Sequence, residues 1–146
     1  MITYYVHDTH GNILATYNNT ALEEQNIFGA SRIGTLKNDD KYYELTDQLN
    51  NVRAVISGSG VVKSASDYYP FGVLANSFHP TESRFGYNGK ERDDEGLGGG
   101  GTTYDYGLRI YNPNLAKFLS VDPLFHGFPW YTPYQFAGNK PIVSID

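Results

Sequence analysis

Near its start the chain carries a stretch that occurs twice. Tyr4, Asp8, Gly11, Asn12, Ile13 and Ala15 recur 39 residues later as Tyr43, Asp47, Asn50, Asn51, Val52 and Ala54. Each copy reads as a strand-like run, a polar turn and a second strand-like run. The turns carry Gly-Asn and Asn-Asn, residues that tolerate the positive φ of tight hairpins. Two hairpins are predicted, at roughly 4–17 and 42–56, the second with a looser turn because it lacks glycine. Turn chemistry also recurs without common origin, so two unrelated hairpins are the plainer alternative. Either way the chain is steered toward antiparallel sheet.

A second stretch, Tyr104 to Pro123, reads YDYGLRIYNPNLAKFLSVDP. Tyr104, Tyr106, Leu108 and Ile110 alternate with Asp105, Gly107, Arg109 and Tyr111, a period of two that predicts one strand. Asn112-Pro113-Asn114 breaks it, and Lys117–Val121 reads as another short strand before Asp122-Pro123. Composition agrees: 13 Tyr and 16 Gly with a single Met favour sheet between glycine turns. Tyrosine suits a half-wet sheet face, because its ring packs while its hydroxyl finds water or backbone.

The remaining segments divide by their punctuation. Thr20 is placed to cap a helical turn at Ala21–Gln25. Val61–Tyr69 reads as a strand ended by Pro70, and Asn76–Ser83 as loop. Residues 90–103 combine the charged run Lys90–Glu95 with Gly98–Gly101 and read as a flexible loop. Leu124–Pro133 holds Phe125, Phe128, Trp130 and Tyr131 among prolines and reads as an irregular aromatic plug. Thr132 is placed to cap a turn at Pro133–Ala137, and Pro141–Ile145 reads as a last strand. A core of Phe118, Val121, Trp130, Tyr134, Phe136 and Ile142 is expected. At this length one domain is the default: hairpin repeats in 1–75, a loop region in 76–103, and the signature and plug in 104–146.

Several function classes are disfavoured. A net charge of −5 with no Lys/Arg cluster argues against nucleic acid. The chain has no cysteine, which removes disulfides and thiolate metal sites. Met1–Asp8 lacks a charged region followed by an apolar run, and no apolar stretch is long enough for a membrane span. His7 and His10 flank Asp8 but lack a third ligand, so they read as turn residues. Asp93-Asp94-Glu95 lacks calcium-loop spacing, and the glycine run is not followed by the Gly-Lys-Ser/Thr of a phosphate loop. Asn18-Asn19-Thr20 fits a glycosylation pattern that is common by chance. No cofactor and no metal are expected.

The stretch 104–123, together with DYYPFG at Asp67–Gly72, YNGKERDDE at Tyr87–Glu95 and PWYTPYQFAGNKPIVSID at Pro129–Asp146, resembles the RHS repeat-associated core of bacterial polymorphic toxins. The likeness covers most of the chain from residue 42 onward. It implies a mostly β fold: YD-repeat hairpins forming part of a spiral sheet shell, with an irregular aromatic-rich C-terminal coil. It favours strand over helix for Asn26–Leu36.

Members of that family resemble self-cleaving aspartyl proteases, in which two Asp in DPxG-like motifs cut the chain just beyond the second motif. Such chemistry uses two carboxylates sharing one proton, one as base and one as acid. By this resemblance Asp122 and Asp146 are the catalytic candidates. Phe125 stands where the family usually has glycine, and the expected cut lies just past Asp146. The plainer reading makes Asp122 a turn cap and Asp146 a terminal residue. Arg109 and Lys117 could assist a carboxylate, although cross-strand pairing is the commoner use. The implied function is to close a shell around a following toxin domain and help release it, in bacterial competition. The implied partners are the rest of the shell and that toxin domain, with a homo-oligomer or edge-strand partner for any uncovered sheet edge. Export as part of a larger protein is implied. The alternative is a free-standing YD-repeat module that binds a partner or glycan through its Tyr-rich face.

Overall fold

The computed structural model describes residues 2–79, 83–93 and 103–146. The fold is mostly β, as expected. Its strands are β1 (Thr3–His7), β2 (Ile13–Asn18), β3 (Ala21–Phe28), β4 (Arg32–Lys37), β5 (Asp40–Thr46), β6 (Val52–Ser57), β7 (Val62–Tyr68) and β8 (Leu74–Phe78), then β9 (Glu91–Asp93), β10 (Thr103–Asp105), β11 (Ile110–Asn112) and β12 (Lys117–Phe118). The first eight follow one another in sequence order in one sheet, and the last four form a second sheet ordered β12-β11-β10-β9. The chain divides into two compact units, Met1–Leu45 with Ala54–Lys63, and Thr46–Arg53 with Ser64–Asp146.

One five-residue turn recurs, and it explains the repeat. At Asp8–Asn12 the Asp8 N–H donates to the Asn12 carbonyl at 2.9 Å and the Gly11 N–H to the Asp8 carbonyl at 3.2 Å. The Asp8 carboxylate accepts from the His10 and Asn12 N–H groups and from the Asn12 side-chain amide. Asp47–Asn51 repeats every one of these bonds, with Asp47 accepting from the Leu49 and Asn51 N–H groups and from the Asn51 amide. The fourth position is left-handed in both, Gly11 at φ 85° and Asn50 at φ 61°. The second turn is therefore not looser; asparagine tolerates the left-handed region well enough to replace glycine. Ser57–Val61 and Tyr69–Val73 close with the same two backbone bonds, and Gly60 and Gly72 stand at their left-handed positions.

In the first unit, β3 replaces the helical turn expected at Ala21–Gln25. Asn19 takes φ 53° and reverses the chain, so that Ala21 pairs with Asn18 and Gln25 with Ala15. Ladder hydrogen bonds then outweigh a weak helix preference. The buried residues of this unit are largely polar: Thr16, Glu24 and Asn26 beside Ala15 and Val55. Arg32 and Glu44 pair at 3.0 Å with side chains 15% and 5% exposed. Burial pushes the Glu44 carboxyl up from its ordinary range, and Arg32 opposes this.

The second unit holds the aromatic core. Tyr87, Tyr104, Tyr111, Phe118 and Phe136 are buried together, with Tyr68, Phe71 and Tyr106 packed against them. The hydroxyls dock on backbone: Tyr87 donates to the Pro70 carbonyl at 2.6 Å and Tyr111 to the Phe71 carbonyl at 2.8 Å. Those carbonyls belong to the Tyr69–Val73 turn. That turn needs glycine at residue 72, where φ is 88° and an added Cβ would lie 2.7 Å from the Tyr87 ring.

Five expectations for this unit change. Asn76–Phe78 of the expected loop belong to β8 and pair with Ala65–Asp67. The alternating run at 104–111 is a hairpin rather than one strand: Tyr104 pairs with Tyr111 and Asp105 with Ile110. Gly107 at φ 86° bends it, and the Asp105 carboxylate accepts the Gly107 N–H. Glu91–Asp93 of the expected flexible loop form β9, paired with β10, while 94–102 lie outside the described residues. Pro141–Ile145 is turn rather than strand, closed by the Val143 and Ser144 N–H groups on the Lys140 carbonyl. Finally, of the expected core only Phe118 and Phe136 are buried; Val121, Trp130, Tyr134 and Ile142 are exposed.

Trp130 is 71% exposed and leaves little apolar area to lose. Trp130→Ala should therefore change stability by no more than about 0.5 kcal/mol, read as an unchanged urea midpoint.

The tyrosine core makes the unit alkali-sensitive. Burial, aided by the Asp47 charge, pushes the Tyr87 hydroxyl from its ordinary 10.0 up to about 12. Burial and neighbouring ring hydroxyls raise Tyr106 and Tyr111 as well. A raised acid favours the neutral form in the folded state. Its stabilisation is complete below the unfolded value and is lost as pH climbs through the folded one. Urea midpoints should hold to about pH 10 and then fall steadily toward pH 12. A midpoint independent of pH over that window would contradict the buried-hydroxyl account.

Candidate functional site

Three turns converge on one guanidinium. Arg109 lies in the β10–β11 turn, where the Tyr106 N–H donates to its carbonyl at 3.0 Å. Its guanidinium carbon lies over the Phe118 ring, 3.6 Å from the centroid, and the side chain is only 10% exposed. Phe118 is a rigid floor because it is itself buried, edge-on to Tyr106 at 5.4 Å.

Asp122 follows β12 and is set by a turn. Its N–H donates to the Pro133 carbonyl at 2.9 Å, and its Oδ1 accepts the Leu124 N–H at 2.8 Å. Its Oδ2 is left facing Arg109 Nη1 at 3.1 Å. The residue thus fills the turn-capping role of the plainer reading and pairs with arginine as well.

Asp146 reaches the same guanidinium from the other side. Its Oδ1 lies 3.1 Å from Arg109 Nη2, and its Oδ2 accepts the Ala137 N–H at 3.1 Å. That N–H is aimed by left-handed backbone: Ala137, Gly138 and Asn139 have φ 47°, 59° and 58°. An alanine there costs about 1–2 kcal/mol, a strain of the kind that gathers at functional sites.

The sequence candidates Asp122 and Asp146 therefore lie on opposite arms of one arginine, 24 residues apart in the chain. They do not touch: among the described residues no hydrogen bond joins the two carboxyl groups, and the expected direct contact is replaced by the Arg109 bridge. Arg109 does not make the cross-strand pair that sequence favoured. The available signal was Gly107, which turns the chain and takes Arg109 out of a strand. Lys117 sits opposite Asn112, away from this centre.

The triad lines a cleft of about 780 Å³, which also takes in Lys90, Leu124 and Tyr131. With formal charges of one cation to two carboxylates, the triad is net negative. Its carboxylates are 30% and 28% exposed, so water and a peptide can reach them.

No protein-family model matches the chain. It is 33% identical over 114 residues to toxin subunit YenC1 of Yersinia entomophaga, a match covering 75% of this chain and 11% of that protein. The chain is therefore similar to a segment of a toxin subunit. An alignment of 161 positions also gives 30% identity to salivary gland surface protein 1 of Aedes aegypti, over 99% of this chain and 4% of that protein. Of solved structures, TcdB2-TccC3 without its hypervariable C-terminal region superposes with a TM-score of 0.68 at 24% identity, covering 90% of this chain and 7% of that one. The chain therefore shares the fold of a segment of that structure. It spans only about a tenth or less of the length of the curated relatives it matches.

Proposed function

We propose that this chain is the part of an RHS-type toxin shell that closes it around a following toxin domain, and that Asp122 and Asp146, held by Arg109, cut the chain just past Asp146 to release that domain. The single observation supporting the chemistry is the convergence of both carboxylates on Arg109 within an accessible cleft. One carboxylate takes a proton from water, which adds to the scissile carbonyl. That proton passes through water to the other carboxylate, which gives it to the leaving nitrogen as the C–N bond breaks. Arg109 fixes the distance between them and tempers their mutual repulsion. The Ala137 N–H fixes the orientation of Asp146. The likeness to a toxin subunit supports the shell role, and export as part of a larger protein goes with it.

A second reading has its own support: the likeness of 99% of this chain to a segment, 4% of the length, of a salivary gland surface protein that is not named as a toxin. In that reading the chain is a free-standing YD-repeat module, and the triad only ties the C-terminal coil to the sheet.

Extending the chain past Asp146 by a toxin-length segment separates the two. Autoproteolysis predicts two discrete bands on a gel, and a single uncut band from Asp122→Asn. An uncut wild-type chain, or cleavage unchanged in the variant, leaves the tying role.

A further inference from the structure

Lys90 and Lys140 are two cations lining the cleft that the triad does not use, and Lys90 is the one set on a buried mount. It ends the turn Gly86–Lys90, closed by the Gly86 N–H on the Lys90 carbonyl and the Lys90 N–H on the Tyr87 carbonyl. Asn88 at φ 50° and Gly89 at φ 66° make that turn left-handed. The Asn88 side chain is buried and locked, its amide donating to the Leu49 carbonyl at 3.0 Å. Its Oδ1 accepts the Tyr106 hydroxyl at 2.8 Å. Tyr106 is thereby fixed, and the Lys90 ammonium lies over its ring, 4.7 Å from the centroid. Lysine on so rigid a mount is held in place rather than solvated at random.

Its surroundings leave its donors uncommitted. Among the described residues no carboxylate comes within ion-pair distance of the Lys90 ammonium. Arg109, by contrast, has one arm on each aspartate. Burial holds the Lys90 amine below the usual lysine range, while the charges of Asp105 and Asp146 work against that shift. Lys90 lines the same cleft as Asp146, Arg109 and Tyr106.

We infer that Lys90 is a catalytic residue of the cleavage proposed above, donating a hydrogen bond to the carbonyl oxygen of the bond being cut. This rests on that reading. When water adds to the carbonyl carbon, the π-electron pair moves to the oxygen, which becomes an oxyanion. Lys90 stabilises that charge until the pair returns, the C–N bond breaks and the amine leaves with its proton. A donor placed where charge develops supplies much of an acyl-transfer rate, and the triad's own cation is already occupied.

The test uses the chain extended past Asp146, with single-turnover cleavage rates and urea midpoints for each variant. Wild type should be cut and Asp122→Asn should stay whole. Lys90→Met should be at least about 100-fold slower at an unchanged urea midpoint, and Lys90→Arg should stay within about 10-fold of wild type. Lys90→Cys guards against a misfolded methionine variant: it should be as slow, and aminoethylation should restore cleavage, since the chain has no cysteine of its own. Full-rate cleavage by folded Lys90→Met or by unmodified Lys90→Cys, with Asp122→Asn uncut, overturns the role of Lys90 alone. An uncut wild type removes the autoproteolytic reading and this inference with it.

Discussion

Phe136→Ala should lower the stability of the second unit by about 3–5 kcal/mol. Phe136 is fully buried, and its ring packs against four other rings of the core. It lies 4.1 Å from Tyr111 between centroids, and 5.7–5.9 Å from Tyr87, Tyr106 and Phe118. Removing it opens a cavity walled by tyrosines whose hydroxyls are tied down, Tyr87 and Tyr111 to backbone and Tyr106 to the Asn88 side chain, so the walls cannot collapse inward without breaking those bonds. It also loosens the chain just before Ala137, whose N–H holds Asp146. Urea melts followed by tyrosine fluorescence measure the loss. A cost below about 1 kcal/mol would show a site that repacks, and would remove the rigid floor on which the triad is argued to stand.

In a chain extended past Asp146, Arg109→Met should slow cleavage at least about a hundredfold. Methionine keeps a long apolar stem over Phe118 but removes the charge and both arms. Asp122 would keep its turn bond to Leu124, and Asp146 only its bond to Ala137. The two carboxylates would then repel without a bridge. Arg109→Lys should rescue poorly, because an ammonium is a point donor and cannot reach two carboxylates on opposite sides as a planar fork does. Cleavage rates for the three proteins, compared at matched urea midpoints, check this. Near-wild-type cleavage by the methionine variant would make Arg109 a fastening and nothing more.

The turns were the most legible part of the chain. Asp8 and Asp47 each accept the same three bonds, all within five residues, so local chemistry decides them. Phe118 and Phe136 were readable as core because a large aromatic side chain gains much from burial. Trp130 was not readable as exposed: hydrophobicity says what gains from burial, not whether a partner surface is there. The run from Tyr104 to Tyr111 misled because its period of two is that of a strand, yet one glycine at φ 86° folds it into a hairpin. That same misreading hid Arg109. Asp122 and Asp146 came from family likeness alone, since nothing in a lone aspartate reveals a partner 24 residues away. The bridge between them depends on three turns meeting, a long-range property that local patterns do not carry.

The most direct measurement is the intact mass of the extended chain, followed over time after refolding from urea. Self-cleavage predicts that the full-length mass gives way to two species, the N-terminal one ending just past Asp146, while Asp146→Asn keeps the full-length mass throughout. A wild-type chain that holds a single full-length mass, or fragments whose ends fall elsewhere and persist in Asp146→Asn, would contradict the account.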